Sequence, residues 1–364
     1  MARILLYCMN GTGLGHITRI LAVSRQLRKL APETELLVLT SSENSNILWQ
    51  EKIVSVKIPS QETIALEKNL PIRHLASSLT AQVFATFQPE IIVVDSAPQG
   101  AFSELLSLLS TVPKRVFLYG NFPNMIKHSA YRFAVNFYDR VIMPYHEDEQ
   151  DILPIKDSKE GKLVWTGDIL VRSVDEIQPR DVARRHLGLR EQGEDELTAY
   201  VGLGGGGNVK NSEFRDWALD VLSEFSDIRI ACAAQPLSSD VDKISQRDNC
   251  VPVNHFPMVE YYSAFDFCIS AAGFNSAEAV HAGLPAIWVP FGFPATDQEF
   301  NADRFTNADL GVKVTPLDTE ALRKAIESMR DAKYRHALQT RMRDWAGPNG
   351  AELAAKSILE LVAP

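Results

Sequence analysis

Four cysteines in 364 residues, Cys8, Cys232, Cys250 and Cys268, form no Cys-x-x-Cys pair and no Cys/His cluster. That excludes a disulfide framework and a zinc site, and the thiols read as reduced and mostly buried in strands. Long hydrophobic runs are missing too. A membrane-spanning helix needs about 20 apolar residues, and the first apolar run, Ile4–Met9, stops in a glycine loop. It is also too short for a signal-peptide core, so a cytoplasmic protein is expected, with peripheral membrane contact left open. Basic charge is short: 37 Lys and Arg against 46 Asp and Glu leave a net charge of −9. A general nucleic-acid binder is excluded, because phosphate neutralisation needs a basic surface. Binding of one diphosphate through backbone amides is not.

What remains is ordinary globular composition, 45% hydrophobic and 23% charged, at a length that exceeds one typical core. Short β-branched and apolar runs alternate with helical patterns, which predicts parallel α/β architecture. The first half offers strands at Ile4–Met9, Glu35–Leu39, Ile53–Ile58, Ile91–Asp95, Arg115–Tyr119 and Arg140–Met143. The second offers Leu197–Leu203, Ile228–Ala234, Cys250–Phe256, Phe267–Ser270, Ala286–Phe291 and Val312–Val314. Each set suits one doubly wound sheet. No internal repeat or low-complexity tract is visible.

Three loops carry the chemistry. The first, Asn10-Gly11-Thr12-Gly13-Leu14-Gly15-His16, follows the first strand. Its spacing is GxGxG, and the second strand ends in Thr40-Ser41-Ser42 with no acidic residue, so the dinucleotide fingerprint fails twice. The second, Gly202-Leu203-Gly204-Gly205-Gly206-Gly207-Asn208, leaves room for a phosphate against bare backbone. It is no P-loop, since Lys210 falls at the wrong place. The third is Gly273-Phe274-Asn275-Ser276-Ala277-Glu278, continuing to Gly283-Leu284-Pro285, with Thr296-Asp297-Gln298-Glu299 downstream. Helix N-termini present unpaired N–H groups and a positive dipole end, where a diphosphate can sit. Plain capping boxes would give the same residues at Asn275–Glu278 and Thr296–Glu299. Asp240-Val241-Asp242 matches a metal-binding DxD, but paired surface aspartates are common. The acidic run Glu147–Asp151 reads as a solvated helix start.

The third loop, in this order after strands, resembles the nucleotide-sugar signature of GT-B glycosyltransferases. It is closest to the peptidoglycan UDP-N-acetylglucosaminyltransferase family (family 28) and the UDP-glycosyltransferases (family 1). The resemblance runs over nearly the whole chain and implies two doubly wound Rossmann-like domains facing a central cleft. It places an acceptor-binding domain at 1–165, a nucleotide-sugar-binding domain at 166–345 and a terminal helix at 346–364 packing back on the first domain. The implied activity is metal-independent, inverting transfer from a UDP-sugar or other nucleotide-diphosphate sugar to an acceptor hydroxyl, small-molecule or lipid-linked. No cofactor, metal or nucleic acid is implied. Two alternatives share the fold: a UDP-N-acetylglucosamine 2-epimerase-like enzyme and a non-catalytic nucleotide-sugar-binding protein.

Residue by residue, the resemblance makes His16 the general base and Asp95 its orienting acid, in the manner of a triad. A loop-capping histidine and an Asx-turn before Pro98 are the plainer readings. Glu278 would hold the ribose, Asp297 and Gln298 the donor sugar. Gly204 to Gly207, Asn208, Gly273, Asn275 and Ser276 would approach the phosphates. Phe256 would flank the base or belong to the core. Gly13, Gly15 and Asn121 would face the acceptor, Asn121 from a largely core aromatic stretch, Phe117–Tyr138. One departure is Ala271, where plant-type enzymes place a histidine.

Overall fold

The computed structural model describes all residues except 1, 10–12, 62–65, 67–68, 121–135, 153–161, 191–192, 194–195, 205–208, 235–243, 245–246, 248, 292–296 and 363–364. The chain forms two compact units, Met1–Val171 with Pro348–Pro364, and Arg172–Gly347. Both are α/β.

The first unit holds seven parallel strands: β1 (Arg3–Cys8), β2 (Glu35–Thr40), β3 (Ser55–Lys57), β4 (Ile91–Asp95), β5 (Lys114–Leu118), β6 (Arg140–Met143) and β7 (Leu163–Trp165). Their order is β3-β2-β1-β4-β5-β6-β7. Ile4, Leu5, Leu6, Ile92, Val93 and Val94 are wholly buried, as expected of strands covered on both faces. Six strands are predicted for this half and seven are found among the described residues. Leu163-Val164-Trp165 is too short a run, behind a polar stretch, to register as a strand by itself; pairing of Val141 with Leu163 and Met143 with Trp165 makes it one.

Helix α1 (Gly15–Leu30) contains no proline or internal glycine and ends on Arg28 and Lys29, which suit the negative end of its dipole. Ile17, Ile20, Leu21 and Leu27 are buried beneath it, whereas Leu30 is exposed. Other helices of the unit among the described residues include α2 (Asn46–Gln50) and α3 (Ile72–Phe87).

The second unit repeats the layout with six parallel strands: β8 (Leu197–Gly202), β9 (Ile228–Ala233), β10 (Cys250–Val253), β11 (Phe267–Ser270), β12 (Ala286–Trp288) and β13 (Val312–Lys313), ordered β10-β9-β8-β11-β12-β13. Its helices among the described residues include α4 (Arg180–His186), α5 (Val209–Leu222), α6 (Phe274–His281), α7 (Gln298–Asn307), α8 (Thr319–Arg330) and α9 (Ala332–Trp345). Val201, Ile230, Phe267, Ile269 and Ile287 from the sheet pack with Leu219, Leu322, Ile326 and Met329 from α5 and α8 in one core. All four cysteines are free and buried, one each in β1, β9, β10 and β11.

Helix α10 (Gly350–Leu359) packs on α1 within the first unit. Its buried face is largely alanine, Ala351, Ala354 and Ala355 with Ile358, which brings the two backbones close. The Asn349 amide exchanges hydrogen bonds with both backbone groups of Leu170 and caps the helix at Ala351 N–H. At Gly350 a Cβ would lie 2.5 Å from Gly167 O, 2.7 Å from Thr166 O and 2.9 Å from Asp168 O. Backbone oxygens cannot rotate away. Gly350→Ala is therefore expected to cost about 1–3 kcal/mol, read as a lowered unfolding midpoint in urea. An unchanged midpoint would mean that this junction is looser than its packing implies.

Candidate active site

In a doubly wound sheet, ligands bind beyond the strand C-termini where the strand order reverses. The first unit reverses between β1 and β4, with Cys8 opposite Asp95 at their ends. His16, in the first turn of α1, reaches this point: its Nδ1 lies 2.5 Å from Asp95 Oδ2. Asp95 is wholly buried, while His16 keeps 17% of its side chain exposed. Asp95 is therefore not spent on an Asx-turn; its side chain is committed to the cluster.

Arg19, one turn further along α1, closes the cluster. Its Nη2 lies 2.5 Å from Asp95 Oδ1 and donates to Ser96 Oγ at 2.6 Å. Burial opposes ionisation of Asp95, but Arg19 and then His16 outweigh it and hold the carboxyl below the usual carboxylate range. Ser96 adopts φ +60°, an uncommon conformation for a residue with a side chain. Neighbouring Cys8 donates to Thr40 Oγ1 at 3.2 Å, and burial pushes its thiol up to about 12, so it stays protonated. Arg19 stands among polar residues of a helix face in the sequence, and only the fold reveals what it touches. Its position three residues after His16, on the same face, was the available signal. Gly13 and Gly15 lead into α1; Asn121 lies outside the described residues.

The second unit reverses between β8 and β11, with Gly202 opposite Ser270. Gly204, just beyond β8, is exposed at φ +86°, a conformation that glycine takes without strain. Gly205, Gly206, Gly207, Asn208, Asp240, Asp242 and Thr296 lie outside the described residues.

Gly273 caps α6 with no side-chain hydrogen bond. The expected capping box is absent here: Ser276 Oγ donates back to Gly273 O at 2.5 Å, and Glu278 sits in the second turn. The physical reason is that the helix begins at Phe274, so Asn275 and Ser276 are already helical and cannot cap. Asn275 Nδ2 reaches Gly202 O at 3.5 Å, drawing the start of α6 to the end of β8. Glu278 is buried with the hydroxyls of Tyr200 and Tyr262 nearby, and Asn275 bonds the latter. Burial first, then neighbouring charge, drives both phenols above their ordinary range, so they remain neutral donors. Asp297 precedes α7 without capping it through its side chain, and Gln298 Oε1 accepts from Phe291 N–H at 3.0 Å. Asn301 ties α7 to the loop after β11 by donating to Ala272 O at 3.1 Å. Phe256 is half-buried ahead of the short turn Met258–Ala264, outside the buried core.

Comparison with known proteins adds a name to this geometry. Residues 210–358 match the glycosyltransferase family 28 C-terminal domain. A Pediococcus pentosaceus protein named UDP-N-acetylglucosamine–N-acetylmuramyl-(pentapeptide) pyrophosphoryl-undecaprenol N-acetylglucosamine transferase is 23% identical, over 94% of this chain and 95% of its own. Residues 210–358 are thus similar to a family 28 glycosyltransferase domain, in a chain with the GT-B fold. Among solved structures, Acinetobacter baumannii MurG superposes with a TM-score of 0.63 at 16% identity, covering 99% of this chain and all of that one (100%). A Listeria monocytogenes protein described as a candidate UDP-N-acetylglucosamine 2-epimerase gives 0.68 at 14% identity, over 99% of this chain and 95% of the other. At such identities the superpositions establish the fold alone. As for membrane crossing, no described helix of this chain is long and apolar enough.

Proposed function

We propose that this chain transfers a sugar from a UDP-sugar, or another nucleotide-diphosphate sugar, to an acceptor hydroxyl with inversion and without a metal. The contact of His16 with Asp95 at the first unit's reversal point carries the reading. With Nδ1–H donated to Asp95, a tautomer inferred from the pairing, Nε2 is left to accept a proton. The acceptor oxygen gives its proton to Nε2 and attacks the anomeric carbon. The bond to the diphosphate breaks on the opposite face and the diphosphate departs with the electron pair, which inverts the centre. Asp95 then faces an imidazolium, whose charge it stabilises.

In the second unit, Gly204 and Gly273 open the backbone around the phosphates, and the N-terminus of α6 offers N–H groups to their charge. Glu278 holds the ribose, with Asp297 and Gln298 on the sugar. The acceptor is a small molecule or a lipid-linked one, the latter class appearing in the Pediococcus relative's name. Work at the cytoplasmic side, with peripheral membrane contact, fits such an acceptor.

UDP release from UDP-N-acetylglucosamine by the full chain is expected to continue unchanged in EDTA. Complete loss, restored by Mn²⁺, would overturn the metal-free reading and return attention to Asp240 and Asp242. One rival is epimerisation, the activity in the description of the Listeria protein that shares the fold. That enzyme converts the donor with no acceptor present, so an epimeric nucleotide sugar in the proton NMR spectrum would establish it instead.

A further inference from the structure

We infer that Arg19 is a positioning residue for this reaction: it takes one oxygen of Asp95, so that the carboxylate orients His16 while sharing its charge with a fixed cation. The inference rests on the reading of His16 as the base, but its test does not.

The geometry is that of a shared acid. Asp95 offers Oδ2 to His16 Nδ1 at 2.5 Å and Oδ1 to Arg19 Nη2 at 2.5 Å. Arg19 Nη2 also stands 3.4 Å from His16 Nδ1, so the three groups meet directly. The guanidinium is itself fixed from two further sides, by Ser96 Oγ at 2.6 Å and the Tyr119 carbonyl at 3.4 Å. Those anchors come from the ends of β4 and β5, so the cation cannot follow the imidazole if the ring moves. Arg19 is itself buried, with 9% of its surface exposed. A long cationic side chain is not drawn into a sheet edge for packing alone, because an ion loses hydration there.

The electrostatic consequence has a definite sign. A lone buried carboxylate against an imidazole favours the imidazolium, which cannot accept a proton. A cation on the far oxygen, close to the same ring nitrogen, opposes that. Among the described residues, the other ionisable neighbours named at this edge do not supply the balance. Cys8 at the end of β1 is a neutral thiol, and burial keeps the Tyr119 phenol neutral after β5. Asp95 thus fixes the ring and Arg19 moderates the charge.

The decisive measurement is the titration of the His16 imidazole by NMR in the full chain, with its resonance assigned by its loss in His16→Ala. In Arg19→Gln the midpoint is expected to rise by about one to two pH units, and the ascending limb of the pH–rate profile for UDP release to move with it. Arg19→Lys, which keeps a charge but not the two-sided anchor, is expected to titrate near the wild-type position with reduced turnover. Because Asp95 is fully buried, Arg19→Gln can fail to fold. Asp95→Asn and Asp95→Asn/Arg19→Gln leave no unpaired carboxylate, and the same rise is expected between these two. A lower melting point and slower turnover with an unmoved midpoint would overturn the inference and leave Arg19 a structural residue. So would an Arg19→Lys midpoint as far displaced as that of Arg19→Gln. If the midpoint moves while His16→Ala still turns over normally, the charge balance stands and the base assignment falls.

Discussion

His16→Ala is expected to slow sugar transfer by about 10²- to 10⁴-fold, the usual contribution of a general base, with UDP affinity nearly unchanged. The expectation follows from where the residues stand. His16 belongs to the first unit, and the nucleotide contacts are assigned to α6 and its neighbours in the second. Losing the imidazole leaves Asp95 and Arg19 paired, so the cluster keeps its charge balance and the fold should survive. The ascending limb of the pH–rate profile should vanish with the side chain. Asp95→Asn should reproduce part of the defect, because the ring keeps a hydrogen-bond partner but loses the charge that stabilises it once protonated. A collapse of UDP affinity in His16→Ala would place the histidine on the diphosphate. Near-normal turnover would hand the proton to another group.

Glu278→Ala is expected to weaken UDP binding by about 10- to 150-fold, the worth of one charged hydrogen bond at roughly 1.5–3 kcal/mol. The carboxylate lies in α6, whose start is drawn to the end of β8 by Asn275. A capping role would have predicted lost stability with nucleotide affinity intact. The structure removes that role, since Gly273 is the N-cap and Glu278 lies in the second turn. Glu278 is buried near Tyr200 and Tyr262, so some loss of stability accompanies the substitution. Calorimetry separates the two: if UDP affinity is unchanged in the folded variant, Glu278 only braces the tyrosines.

Much of this was legible in the chain itself. Ile91-Ile92-Val93-Val94 could only be a strand covered on both faces, so Asp95 had to emerge at its C-terminal end, where such sheets bind ligands. The glycine turn before Phe274 likewise marked the start of α6. What escaped depended on contacts between distant residues. β7 has only three residues and is a strand because β6 pairs with it. Arg19 carried the same local pattern as Arg25 and Arg28 on one helix, yet only Arg19 meets Asp95. Glu278 fitted a capping spacing, and α6 beginning two residues earlier than that box requires decided against it. Local spacing fixes what a residue can do; its partner across the sheet decides which of those it does.

The central claim is that this chain binds a nucleotide-diphosphate sugar. Its most direct test is a thermal-shift panel of nucleoside diphosphates and their sugars on the full chain. UDP, or another member of the panel, at 100 times its Kd should stabilise the folded state by about 2.7 kcal/mol, as a saturable rise in melting temperature. No shift with any member of the panel, on protein that melts cooperatively, would contradict the account.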